Sequence, residues 1–125
     1  MSTTTLTGQN FEATVTAGGI VLVDFWAAWC GPCRQFAPVF EATSTQHPDI
    51  VFGKVDTEAE QGLAAAARIT SIPTLMAFRD GVLVYSQPGA LPASALEQVI
   101  AGVRALDMDA VRAELEQQQR SPQTT

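Results

Sequence analysis

The sequence predicts an α/β domain built on a central mixed sheet, part parallel and part antiparallel, with helices on both faces. Three observations carry that prediction. Two near-continuous apolar runs, Ile20 to Trp26 and Ile50 to Asp56, alternate with segments of helical period, and such runs mark strands covered on both sides. Asp80-Gly81 is a turn signal between two further short apolar runs, which reads as a hairpin. Leu96, Val99, Ile100 and Val103 have the spacing of one buried helix face.

Taken in order, Thr3 to Leu6 reads as a short edge strand. Thr7 can cap a helix reaching about Thr16, where Gly18-Gly19 breaks the pattern. The run from Ile20 to Trp26 is a central strand that leads through Ala27-Ala28-Trp29 to Cys30. From Pro32 onward Cys33, Phe36, Val39 and Phe40 recur at helical spacing, and proline suits a first helical position because its missing N–H is no loss there. Pro38 lies inside this helix and is expected to kink rather than end it, since Val39 to Ala42 still reads as helical.

After His47-Pro48, Ile50 to Asp56 forms the second central strand and Glu60 to Arg68 a short alanine-rich helix. Ser71-Ile72-Pro73-Thr74 introduces the strand Leu75 to Phe78, and Arg79-Asp80-Gly81 turns it into Val82 to Tyr85. Pro92 opens the helix that carries Leu96 to Val103. Met108, Val111 and Leu115 then form only a thin apolar stripe, so residues 1–106 are read as the domain. Residues 107–125 are read as a C-terminal extension, helical or partly disordered, whose removal should leave activity intact.

A chain of 125 residues with 46% hydrophobic and 16% charged residues is ordinary globular material, large enough to fold without a metal or a structural disulfide. Its longest apolar runs are too short to span a bilayer. A net charge of −6 and the lack of any Lys or Arg cluster argue against nucleic acid as a partner. The first cationic residue is Arg34, so the amino terminus shows neither a secretory n-region nor the arginines of a transit peptide. A cytoplasmic location is therefore expected, where cysteines are catalytic or metal-binding more often than structural.

The two cysteines, Cys30 and Cys33, are separated by two residues. Closing so short a loop contributes only about 2 kcal/mol in the chain-entropy picture. The pair is a poor staple and a good candidate for reversible dithiol–disulfide chemistry. A zinc site is the competing reading, but Cys30, Cys33 and the distant His47 fall short of four protein ligands, so it would require ligands shared between subunits. No metal is expected.

Several features together resemble the thioredoxin family over about Thr3 to Ala105. They are Trp29-Cys30-Gly31-Pro32-Cys33, the acidic residue in the strand before it, the proline inside the following helix, Ile72-Pro73-Thr74, Asp80-Gly81, and Gly89 before the last helix. The resemblance implies the thioredoxin fold and a protein-disulfide reductase that binds no cofactor. It also implies recycling by a thioredoxin reductase that uses NADPH and FAD. Disulfide-containing substrates such as ribonucleotide reductase, peroxiredoxin and methionine sulfoxide reductase would be its partners, and a monomer is expected. Two other classes stay open, a disulfide oxidase or isomerase and a non-redox binding module using the same surface. Gly31-Pro32 is similar to the reducing members.

Cys30, ahead of a helix amino terminus, is the expected nucleophile, because unpaired N–H groups and the helix dipole favour its thiolate. Cys33 would then resolve the mixed disulfide. By resemblance, Asp24 lies beneath the cysteines and moves a proton to or from Cys33, with Lys54, the sole lysine, as its partner. A purely structural Asp–Lys pair, or an Asp facing solvent at a strand end, is the alternative. Pro73 is expected to be cis and to face the cysteines. Trp29, Gly31, Pro32, Ile72, Pro73, Gly89 and Ala90 would form the substrate surface, with backbone groups at Ile72 pairing strand-like with the substrate. Trp26 reads equally as docking surface or core. Arg34, Tyr85, His47 and the acidic residues Asp56, Glu58 and Glu60 read as surface.

Overall fold

A computed structural model describes residues 3–120. Ten elements follow in chain order: β1 (Thr3–Thr5), α1 (Phe11–Val15), β2 (Ile20–Trp26), α2 (Gly31–Gln46), β3 (Val51–Asp56), α3 (Gln61–Ala66), β4 (Thr74–Arg79), β5 (Val82–Pro88), α4 (Ala93–Arg104) and α5 (Met108–Arg120). The strands form one five-stranded sheet in the order β1-β3-β2-β4-β5. β3 runs parallel to both β1 and β2, whereas β4 is antiparallel to β2 and to β5. This is the mixed sheet that the sequence predicts.

Strand alternation divides β2 between two cores. Val21, Val23 and Phe25 pack with Leu6, Val15, Val55, Met76 and Phe78 on one face. Leu22 packs on the other with Phe36 and Phe40 of α2 and Leu96, Ile100 and Val103 of α4. Period two then places Asp24 on the same face as Leu22, towards α2. The register sets Asp24 opposite Lys54 of β3 and Leu75 of β4.

The ends of α1 and α3 differ from the sequence reading, while the course of α2, the hairpin and the helical start of the extension follow it. α1 begins at Phe11, because Asn10 Oδ1 accepts the Thr7 N–H at 2.6 Å and closes a turn before the helix starts. α3 stops at Ala66, and Arg68 takes a positive φ of 59°. α2 runs unbroken through Pro38. Asp80 and Gly81 both have positive φ, the two-residue hairpin conformation that this pair favours. α5 is a regular helix with Met108 buried but Leu115 exposed. The part of the expected extension beyond residue 120 lies outside the described residues.

Gly53 on β3 has no room for a side chain. A Cβ there would collide with Leu6 Cδ1 and Cγ, and Leu6 is fully buried. Overpacking at such a site costs about 1–3 kcal/mol. Gly53→Ala is therefore expected to lower stability by that amount in denaturant titration, and an unchanged midpoint would mean that Leu6 repacks freely.

Candidate active site

β2 ends at Trp26, and the chain turns through Ala27, Ala28 and Trp29 into α2. Cys30 is the N-cap of that helix, with extended backbone, and its sulfur accepts the Cys33 N–H at 3.2 Å. Pro32 sits in the first turn, where no N–H is needed. Cys30 and Cys33 are joined as a disulfide with their Cα atoms 5.2 Å apart. Both are buried, with Ala27, against the partly buried Trp26 and Ile72. Trp29, by contrast, is 66% exposed beside them and gives this end of the sheet an uncovered apolar surface.

The loop before β4 meets the disulfide. The Ile72–Pro73 bond is cis, and the Ile72 carbonyl oxygen lies 3.7 Å from Cys30 Sγ. Gly89, whose φ is 110°, donates its N–H to the Pro73 carbonyl at 2.8 Å. The positive φ accounts for glycine at that position. Gly89 and Ala90 are exposed and Pro73 is buried. Cys30, Ile72, Pro73 and Gly89 are thus linked through direct contacts.

Behind Cys33 is a small cavity of about 90 Å³ lined by Trp26, Ala27, Ala28, Cys33, Arg34, Ala37 and Lys54. Arg34 Nη1 donates to the Ala28 carbonyl at 2.8 Å and ties the helix to the loop it follows. Asp24 is fully buried on this side of the sheet, and neither carboxyl oxygen has a hydrogen-bond partner. Burial pushes its pKa from the ordinary 3.8 up to about 7, against the opposing pull of the Lys54 charge.

Lys54 acts on Asp24 through its charge and makes no ion pair with it. Its ammonium instead lies over the Trp26 ring, 5.3 Å from the centroid. Sequence reasoning missed this contact, although the pairing of β2 with β3, Trp26 opposite Asp56 and Asp24 opposite Lys54, brings the two side chains within reach. It also took His47 for surface. His47 is half-buried, with Nε2 2.9 Å from Glu97 and Nδ1 3.0 Å from Arg104, which in turn pairs with Asp49. That network joins the end of α2 to α4, away from the cysteines. Tyr85 is partly buried against the α2/α4 core, and Asp56 Oδ1 caps the turn at Glu58. Among the described residues, no group of three or more His, Cys, Asp or Glu is placed to hold a metal ion.

Residues 2–102 match the thioredoxin family model. The chain belongs to the thioredoxin family. It is 58% identical over 118 residues to the putative thioredoxin 2 of Streptomyces coelicolor, spanning 94% of this chain and 88% of that one. It is 40% identical to the thioredoxin of Bacillus subtilis over 75% of this chain and 90% of the other. Among solved structures, a mutant thioredoxin from Halobacterium salinarum superposes with a TM-score of 0.78 at 32% identity, covering 84% of this chain and 93% of that one.

As a thioredoxin, the protein is a thiol-disulfide oxidoreductase of the disulfide-reductase type. Its redox couple is the Cys30–Cys33 pair, and thioredoxins carry no bound cofactor. No helix among the described residues is long and apolar enough to cross a membrane.

Proposed function

We propose that the protein reduces disulfides of other proteins in the cytoplasm as a monomer, with Cys30 as nucleophile, Cys33 as resolving thiol and Asp24 as the group that takes the Cys33 proton. The observation that carries this reading is the hydrogen bond from the Cys33 N–H to Cys30 Sγ at the start of α2. A donor and a helix amino terminus both aimed at one sulfur stabilise its thiolate. Cys30 S⁻ attacks one sulfur of a substrate disulfide, forms a mixed disulfide and expels the other sulfur as a thiolate. The Cys33 thiol then gives its proton to Asp24, and its sulfur attacks Cys30 Sγ. The second substrate sulfur leaves as a thiolate, and the Cys30–Cys33 disulfide has formed. Two electrons have passed to the substrate.

The surroundings support each role. A cavity of about 90 Å³ lies between Cys33 and Lys54, and Lys54 stands opposite Asp24 in the strand register. A carboxyl raised towards neutral pH is matched to proton transfer there. Trp29, Gly31, Pro32, Ile72, Gly89 and Ala90 provide the docking surface, with the buried Pro73 supporting it from beneath and the substrate running alongside Ile72. Thioredoxin reductase, using NADPH and FAD, regenerates the dithiol. Ribonucleotide reductase, peroxiredoxin and methionine sulfoxide reductase are substrates of the kind this surface would accept.

Reduction of insulin disulfides coupled to NADPH oxidation through a thioredoxin reductase tests this reading. The chain is expected to support turnover, and no rate above the reagent background defeats it. Residues 1–106 carry the activity in this reading. A chain ending at Leu106 loses the buried Met108 and is expected to melt earlier, by about 1.5–3 kcal/mol of stability, yet to keep its rate.

A further inference from the structure

We propose that Trp26 is a positioning residue for the second exchange step: its ring holds the Lys54 ammonium at the cavity behind Cys33 and so keeps it from pairing directly with Asp24. This rests on the reading of Asp24 as the proton acceptor.

Five observations converge on it. Lys54 and Asp24 face each other in register across adjacent strands, on the same side of the sheet. An ion pair is the ordinary outcome of that placement, yet both Asp24 oxygens lack a hydrogen-bond partner. The Lys54 ammonium is 5.3 Å from the Trp26 centroid, within the range in which a cation is drawn to an indole face. Trp26, Lys54 and Cys33 line one cavity. The indole Nε1 of Trp26 is also buried without a partner, so no hydrogen bond from that end of the ring accounts for its placement.

The other groups around Asp24 do not substitute for Lys54. β4 sets the uncharged Leu75 opposite it. From α2 come the Cys33 sulfur and Arg34, whose guanidinium is bonded to the Ala28 carbonyl. Asp56, two residues beyond Lys54, has its carboxylate engaged by the N–H groups of Glu58 and Ala59. Lys54 is therefore the mobile charge that sets how readily Asp24 ionises, and the Trp26 face competes with Asp24 for it. An unrestrained ammonium within reach of a buried carboxyl would pair with it and leave Asp24 ionised at lower pH.

The test uses single-turnover reduction of an aromatic disulfide reagent that releases a coloured thiolate at each step. The first release, which depends on reagent concentration, reports attack by Cys30; the second, which does not, reports resolution by Cys33. The second rate is expected to rise with pH in the wild-type chain and to lose that titration in Asp24→Asn. If Asp24→Asn titrates like the wild type, the role of Asp24 itself is wrong. Trp26→Leu is expected to move the midpoint down by about one pH unit, and Trp26→Phe, which keeps a ring face, to move it less. In a Lys54→Met background Trp26→Leu should add no shift. An unmoved midpoint in Trp26→Leu overturns the proposal, as does a shift of equal size without Lys54, which would mean that added water alone had eased ionisation. Fluorinated tryptophan at position 26 weakens the ring face with little change of shape. It should shift the midpoint in the same direction even if Trp26→Leu fails to fold, and an unchanged midpoint there also overturns the proposal.

Discussion

A Cys33→Ser chain is expected to hold a disulfide substrate covalently, and a Cys30→Ser chain is expected not to react at all. Cys33→Ser keeps the backbone N–H that bonds Cys30 Sγ, so the attacking thiolate is still favoured and the first exchange proceeds. No sulfur is then left to release the substrate. Cys30→Ser places another N-cap residue at the start of α2, so the helix keeps its cap and the loss is chemical. Both chains should fall to the background rate in insulin reduction. Mass spectrometry without reductant should show a one-to-one adduct through Cys30 in the first chain alone. An adduct on Cys33 of the second chain would reverse the two roles.

The second large effect is on stability. Asp24 is fully buried, with a pKa raised from 3.8 to about 7 chiefly by burial. The folded protein therefore binds this proton more tightly than the unfolded chain does. Stability from the group is fully present below pH 3.8 and is lost as pH rises through about 7. At about 1.4 kcal/mol per pH unit, the ionised carboxylate costs about 4 kcal/mol. Asp24→Asn removes the charge, so its stability advantage over the wild type should grow across this window and level off above it. Denaturant midpoints of the two chains across the range will show this. A constant difference would mean that Asp24 is ionised throughout, paired or hydrated in the folded state.

The same residue shows where the sequence stops being informative. β2 and β3 were legible because strands covered on both faces can hardly be other than apolar, and that made Asp24 conspicuous. The hairpin was legible because Asp80-Gly81 suits two consecutive positive φ values. The Cys-x-x-Cys spacing with a proline at the helix start placed the site. Element ends were less clear. At α1 two polar residues, Thr7 and Asn10, could each begin the helix, and the choice depends on a side-chain bond that composition does not specify.

Side-chain direction at the site was the main thing left hidden. Lys54 could be assigned to Asp24 from the sequence, but whether its flexible stem ends on the carboxyl or on the indole of Trp26 is decided by local competition between the two. His47 likewise became a link between α2 and α4 only once Glu97 and Arg104 were brought beside it. The cis Ile72–Pro73 bond was foreseeable through the family resemblance and from nothing in the composition.

Everything in this mechanism depends on the two sulfurs being unequal in the reduced protein. Brief alkylation of the reduced chain near neutral pH, followed by peptide mass mapping, measures that inequality directly. Modification of Cys30 first, with activity lost in step with its labelling, is the expected result. Equal labelling of the two cysteines, or labelling of Cys33 first, would contradict it.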